Sequence, residues 1–159
     1  SRGGIDIPAD PPPVLVAALG PQMLKLVGKT ADGTATWMTG PKTIQDHVVP
    51  VINDAAEKEN RPQPQVVAAI PVCIHPDKEV ATEYAKRDFG FYGDLPSYRA
   101  MLDREGLENS WDIAITGSFE QVAEGMQEYV DAGATQVVAA VYGPEESREE
   151  TVSQLAELL

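Results

Sequence analysis

The stretch Val14-Leu15-Val16-Ala17-Ala18-Leu19-Gly20-Pro21-Gln22-Met23-Leu24, VLVAALGPQML, runs apolar for six residues, stops at Gly-Pro and turns at once into a helical pattern. An unbroken apolar run without alternation suits a strand buried on both faces. Pro21 fits the first turn of a helix, and Met23, Leu24, Val27 and Ala31 then recur at helical spacing. Asp32-Gly33 predicts the helix end, with Gly33 in the left-handed conformation. A helix N-terminus exposes unpaired N–H groups and a partial positive charge, which suits a phosphate. Gly20 would let backbone approach it closely. Gly-Pro is also ordinary turn punctuation, so on these residues alone a phosphate site and a tight turn both stand.

The unit repeats along the chain. Thr34–Met38 (TATWM) reads as a second strand, followed by Thr39-Gly40-Pro41 and a helix with Ile44, Val48, Ile52 and Ala55 on one face. Pro50 inside that helix predicts a kink. Val66–Ile74 is a third apolar strand, in which Pro71 predicts a bulge or an early end. A helix from Asp77 to about Gly90 follows, with Val80, Tyr84 and Ala85 inward, then an aromatic group (Phe89, Phe91, Tyr92) and a helix marked by Tyr98, Met101 and Leu102. Trp111–Thr116 is a short extended piece. Ser118–Gln121 (SFEQ) and Ser147–Glu150 (SREE) both have the pattern of a capping box, and Gln136–Val141 (QVVAAV) is a fourth apolar strand. Helices between apolar strands imply parallel strands and right-handed crossovers. The fold class is α/β, and four such units suit an open sheet or half of a (β/α)8 barrel; a whole barrel takes ~250 residues and this chain has 159.

Composition narrows the function classes. The net charge of −13 disfavours nucleic acid and anionic membrane as partners. No apolar run approaches the ~20 residues of a membrane span, and no basic segment precedes an apolar one as in a signal peptide, so a cytoplasmic protein is expected. Cys73, the single cysteine, lies in an apolar run and reads as a buried thiol. Residues 1–13, rich in Gly, Pro and Asp, read as a linker.

Several residues are candidates for chemistry. Thr39 could bond a phosphate oxygen or cap its helix. Lys42 could face a phosphate or substrate, or stand in solvent. Trp37 could line a pocket or fill the core. His47, mid-helix, reads as a surface or partly covered histidine. His75 follows the third strand, at the end where barrel chemistry occurs, but no carboxylate or second histidine accompanies it. Tyr92, Tyr98 and Arg99 could form a lid. Metal-ligand spacing, a dinucleotide-binding glycine fingerprint and a nucleophile elbow are all missing from the sequence.

The order and spacing of VLVAALGPQMLKLVGKTADGTATWMTGP, HVVPVINDAAEKENRP, GDLPSYRAMLDREG and VDAGATQVVAAVYG resemble the luciferase-like monooxygenase superfamily. The likeness is greatest to the branch that uses the deazaflavin coenzyme F420, and it extends from Pro11 to the end. It implies a (β/α)8 barrel of which residues 14–159 form the C-terminal half, four parallel strands with outer helices. The family's catalytic histidine and acid belong to the other half, so no catalytic residue is assigned here, and the chain alone is expected to be inactive. The resemblance also implies that the first turn holds the cofactor's phosphate-bearing tail, through Ala17, Ala18, Gly20, Pro21, Gln22 and Met23. Pro21 has no N–H, which leaves Gln22 and Met23 as donors. Thr39 and Gly40 would lie at the same barrel face, with Lys42 toward substrate. The implied activity is hydride transfer between coenzyme F420 and an organic substrate. The alternatives are an FMN-dependent monooxygenase of the same fold and a non-catalytic half-barrel that binds a partner. The expected partners are a small-molecule substrate, the missing N-terminal half-barrel or a second copy of the chain, and an assembly of identical chains.

Overall fold

The computed structural model describes residues 12–158. The linker expected over residues 1–13 therefore falls almost wholly outside the described residues, as does Leu159; Pro12 and Pro13 carry no regular structure. Five strands, Leu15–Ala17 (β1), Gly33–Trp37 (β2), Gln65–Ile74 (β3), Ile115–Gly117 (β4) and Gln136–Val141 (β5), form one parallel sheet. The helices are Pro21–Thr30 (α1), Pro41–Thr43 (α2), Val49–Lys58 (α3), Lys78–Phe89 (α4), Pro96–Glu105 (α5), Phe119–Asp131 (α6) and Glu145–Leu155 (α7). The four apolar runs lie side by side in chain order, β1-β2-β3-β5. The short β4 adds a fifth strand, paired with the far end of β3.

The two faces of the sheet differ. Val66, Ala68, Ile70, Val72 and Ile74 of β3 pack against Leu24 and Val27 of α1, Ile52 of α3, and Val122 and Tyr129 of α6. Register places Thr34 and Thr36 on that same face, and both are buried. The opposite face carries Ala17, Ala35, Trp37, Ala69 and Val138, and there Ala17 and Val138 are exposed. An open doubly wound sheet has helices on both faces. Here one face bears the main helical layer and the other stays mostly bare, as in a sector of a (β/α)8 barrel. Among the described residues, the edge strands β1 and β5 each pair with a single neighbour, as β4 does.

The segment from α4 to α5 crosses the C-terminal ends of the strands. Ala81 and Ala85 pack with Cys73 and Tyr142. Leu102 and Ile113 pack with Met38, bordered by Trp37, Phe89, Tyr92 and Tyr98.

Several local expectations are corrected. Gly33 is not left-handed; α1 ends at Ala31 and Gly33 opens β2. Its hydrogen matters through space instead, because a Cβ there would collide with Gln65 and Leu15 on the two neighbouring strands. Pro71 neither bulges nor ends β3, which runs unbroken to Ile74. The carbonyls of Val66 and Val72 face β5, whereas that of Ala69 accepts from Met38 on the β2 side. Alternation aims Pro71 at the β2 side as well, beyond the last β2 pair at Ala69 and before the first β4 pair at Val72. The missing N–H therefore falls where no neighbour needs it. The kink expected at Pro50 takes the form of a π turn, Ile44–Val48, in which Val49 N–H reaches back to the Ile44 carbonyl. Pro50 cannot donate to the Asp46 carbonyl, and the wider turn absorbs the loss. Ser118 makes its capping box with Gln121. Ser147 does not, because α7 has already begun after Pro144.

Candidate functional site

Two βα turns at the C-terminal ends of β1 and β2 share one design. In each, a glycine with extended torsions is the N-cap and a proline follows at the first helical position. Gly20 has φ −76° and ψ 151°; Gly40 has φ −76° and ψ 168°.

At the first turn, Leu24 N–H donates to the Gly20 carbonyl at 3.0 Å. Among the described residues, no backbone partner takes the N–H of Gly20, Gln22 or Met23. Gly20, Gln22 and Met23 are exposed, Ala17 lies on the bare face and Ala18 is buried beneath the turn. Neither torsion nor packing demands a glycine at position 20: its φ is ordinary, and a Cβ would meet nothing within 4 Å.

His47 supports this turn from behind. It is 6% exposed, and its Nε2 lies 3.0 Å from the Leu19 carbonyl. A carbonyl only accepts, so Nε2 carries the proton. In a trans peptide C=O and N–H point in opposite directions. Holding the Leu19 carbonyl toward His47 therefore aims the Gly20 N–H away from it. The expectation of a surface or partly covered histidine is corrected here. His47 sits in the π turn, and no short-range pattern in the sequence marks a contact 28 residues away.

The second turn is filled. Glu105, the last residue of α5, accepts from Thr43 N–H at 2.5 Å. A Cβ on Gly40 would fall on the Glu105 carboxylate. Thr39 is fully buried, and its hydroxyl donates to the Trp37 carbonyl at 3.2 Å, so it does not cap the helix as expected. Gly40 is buried too, while Lys42 is exposed and joins no ion pair among the described residues. Of the expected cofactor-binding residues, the structure thus groups Ala17, Ala18, Gly20, Pro21, Gln22 and Met23 at an open turn, and sets Thr39 and Gly40 at a turn closed by Glu105.

Trp37, half-buried on the bare face at the end of β2, makes edge contacts with Phe89 and Tyr92, at 6.0 and 6.2 Å between ring centres. Phe89 also meets Tyr142 edge-on at 5.2 Å. Tyr92 joins Tyr98 at 4.7 Å and Phe91 at 4.1 Å. Burial, with help from Cys73 and Asp88, pushes the Tyr142 hydroxyl well above the ordinary tyrosine range. Arg99 is committed locally: it pairs with Asp103 and donates to the carbonyls of Leu107 and Glu108, tying down the end of α5. His75 is part of the β3–α4 turn, where Nδ1 accepts from Asp77 N–H at 2.9 Å. Cys73 is buried, and burial raises its thiol pKa. Among the described residues, no group of three or more acids, histidines or cysteines could hold a metal ion, and no helix is long and apolar enough to cross a membrane.

The luciferase-like monooxygenase family matches residues 2–136. The chain belongs to this family. Among its family relatives, an F420-dependent glucose-6-phosphate dehydrogenase of Intrasporangium calvum is 23% identical over 158 residues, covering 90% of this chain and 47% of the relative. An F420-dependent secondary alcohol dehydrogenase, solved with an F420–acetone adduct, superposes with a TM-score of 0.78 at 17% identity, over 96% of this chain and 49% of that one. An EDTA monooxygenase from Chelativorans sp. BNC1 superposes with a TM-score of 0.67 at 16% identity, over 96% of this chain and 45% of that one. The chain spans about half the length of these luciferase-like proteins. The similarity between such distant members lies in the fold.

Proposed function

We propose that residues 14–159 are the C-terminal half-barrel of an oxidoreductase that uses coenzyme F420, and that the Leu19-Gly20-Pro21 turn grips the phosphate-bearing tail of that coenzyme. The observation that supports this reading is the open turn: among the described residues the N–H groups of Gly20, Gln22 and Met23 have no backbone partner, and a Cβ on Gly20 would meet nothing within 4 Å. The curated F420-dependent relatives support the choice of coenzyme. When bound, the deazaflavin supplies a ring carbon that gives or takes a hydride.

The chain's own residues bind and orient. The start of α1 offers backbone donors and the positive end of its dipole to an anion. His47 fixes the peptide that presents the Gly20 N–H. Small residues on the bare face, Ala17 and Ala35, leave room beside β1 and β2, and Trp37 closes the end of that face. A small organic substrate would meet this mouth near Lys42. The other half-barrel or a second copy of the chain, added at the β1 and β5 edges, would close the barrel and exclude water. The chain by itself is expected not to turn over.

FMN is the second reading, supported by the superposition on a Baeyer–Villiger monooxygenase solved in complex with FMN. Absorption spectroscopy separates the two, since bound deazaflavin and bound flavin have different spectra. Titration with each cofactor tests the proposal. Saturable binding of F420 supports it, and binding of FMN alone would replace it with the monooxygenase reading.

A further inference from the structure

Between α4, the end of α5 and α6 lies a cavity of about 390 Å³ that shares no residue with the open turn at Gly20. Two helices end on it. Glu105 closes α5, Glu128 and Tyr129 stand in the last turn of α6, and all three line the cavity. A helix C-terminus carries partial negative charge from its unpaired carbonyls, and a cation is its usual complement. The last turn of α6 has no basic residue, and Arg104 in the last turn of α5 lies outside the lining. Each helix instead brings a carboxylate to the cavity. Asp112 adds a third at the rim, where it and Glu128 are exposed. None of the three acids joins an ion pair among the described residues, and neither does Lys78, the one cation in the lining, which is exposed.

Tyr129 turns a polar group toward the same space. It is 3% exposed, and its hydroxyl has no hydrogen-bond partner among the described residues. Burial, and then the charges of Glu105 and Glu128, push that hydroxyl well above the ordinary tyrosine range, which sets the phenol end of the ring on the side of the two carboxylates. A buried hydroxyl without a partner costs free energy that a ligand in the cavity would recover. Trp111, Leu107 and Ile115 supply apolar wall. A Cβ on Gly125 would collide with Ile115, so α6 lies close against that wall. No group of three or more acids, histidines or cysteines among the described residues could hold a metal ion, so the lining suits a cation with a hydrocarbon body.

We propose that this cavity binds a small primary alkylammonium ion. The N–H groups of the ammonium match the carboxylates of Glu105 and Glu128 and the phenol oxygen of Tyr129. Its alkyl chain lies against Trp111 and Leu107. Glu105 accepts from Thr43 N–H through Oε1, and its Oε2 accepts nothing else among the described residues, which leaves that oxygen for the ligand. The site is independent of the coenzyme, since no residue of the first turn lines it.

The test is a nuclear magnetic resonance titration of the full chain, without coenzyme, using n-butylammonium chloride, n-butanol and sodium chloride at matched ionic strength. In the wild type, n-butylammonium is expected to shift the Trp111 indole and the Tyr129 amide saturably, and to leave the Trp37 indole and the Gln22 amide in place. It should bind at least about tenfold more tightly than n-butanol, which offers the same chain without the charge. Glu128→Gln changes an exposed residue and keeps its shape, and should weaken n-butylammonium about fivefold. Tyr129→Phe removes only the hydroxyl and should weaken it about threefold. Sodium chloride that reproduces the Trp111 shift overturns the proposal, because the response is then to ionic strength alone. So does n-butanol binding as tightly as the ammonium, or the absence of any saturable shift at Trp111. Either variant, shown folded by its unchanged amide dispersion, that binds n-butylammonium as tightly as the wild type overturns it as well.

Discussion

The turns Leu19-Gly20-Pro21 and Thr39-Gly40-Pro41 have nearly the same backbone, and they differ in what stands before them. Among the described residues, a Cβ on Gly20 would meet nothing within 4 Å, whereas one on Gly40 would fall on the carboxylate of Glu105. The sequence signature of a helix N-terminus reports only the donors. Whether those donors are available to a ligand is decided by a residue 62 positions away. The comparison teaches that two βα turns of like backbone can differ in availability: one leaves its donors without a backbone partner among the described residues, while its neighbour is satisfied from within.

The largest effect expected from breaking this contrast is on stability. Gly40→Val must drive Glu105 off the turn, and overpacking together with the lost cap costs about 3 kcal/mol. Thermal unfolding should show a fall of roughly 6–12 °C for a chain of this size. The matching change Gly20→Val adds a side chain in open space and should leave the unfolding midpoint within ~2 °C. Equal losses at the two positions would erase the distinction between the turns.

Glu105→Ala removes the cap without adding bulk. A loss of about 1–2 kcal/mol is expected by denaturant unfolding. An unchanged midpoint would mean that the carboxylate contributes nothing at the second turn. His47→Leu acts on the first turn, where it leaves the Leu19 carbonyl unpaired and frees the Gly20 peptide. Affinity for F420 should fall about fivefold to tenfold, roughly 1 kcal/mol, while affinity for the same deazaflavin riboside without its phosphate stays constant. His47→Gln, which keeps an N–H at similar reach, should restore most of the loss. Parallel losses for both ligands would assign His47 to packing alone. Lys42→Ala should have the smallest effect, under ~0.5 kcal/mol on folding, because the side chain is exposed and joins no ion pair among the described residues.

Much of the fold is legible in the sequence, since continuous apolar runs are a local property. β1, β2, β3 and β5 fall where VLVAAL, TATWM, VVAAIPVCI and QVVAAV stand, and the Ser118 capping box is made. The errors arise where a distant partner decides the outcome. Pro71 is harmless because β2 ends and β4 begins around it. Ser147 is no cap because Gly143-Pro144 starts α7 earlier. For the site, the strand–glycine–helix junction points to the open turn. His47 and Glu105 are invisible at short range, one reaching across 28 residues and the other across 62. One weak signal for Glu105 is present, a glutamate in the last turn of its own helix, where its charge opposes the dipole.

The central claim is that the turn at Gly20 holds phosphate through its backbone. The most direct measurement is titration of F420, and of its phosphate-free riboside, into the wild-type protein and into Gly20→Val. The account predicts that Gly20→Val weakens F420 by ~1–3 kcal/mol, leaves the riboside unaffected and unfolds at the wild-type temperature. A folded Gly20→Val protein that binds F420 as tightly as the wild type would contradict it and reduce VLVAALGPQML to an ordinary strand–helix turn.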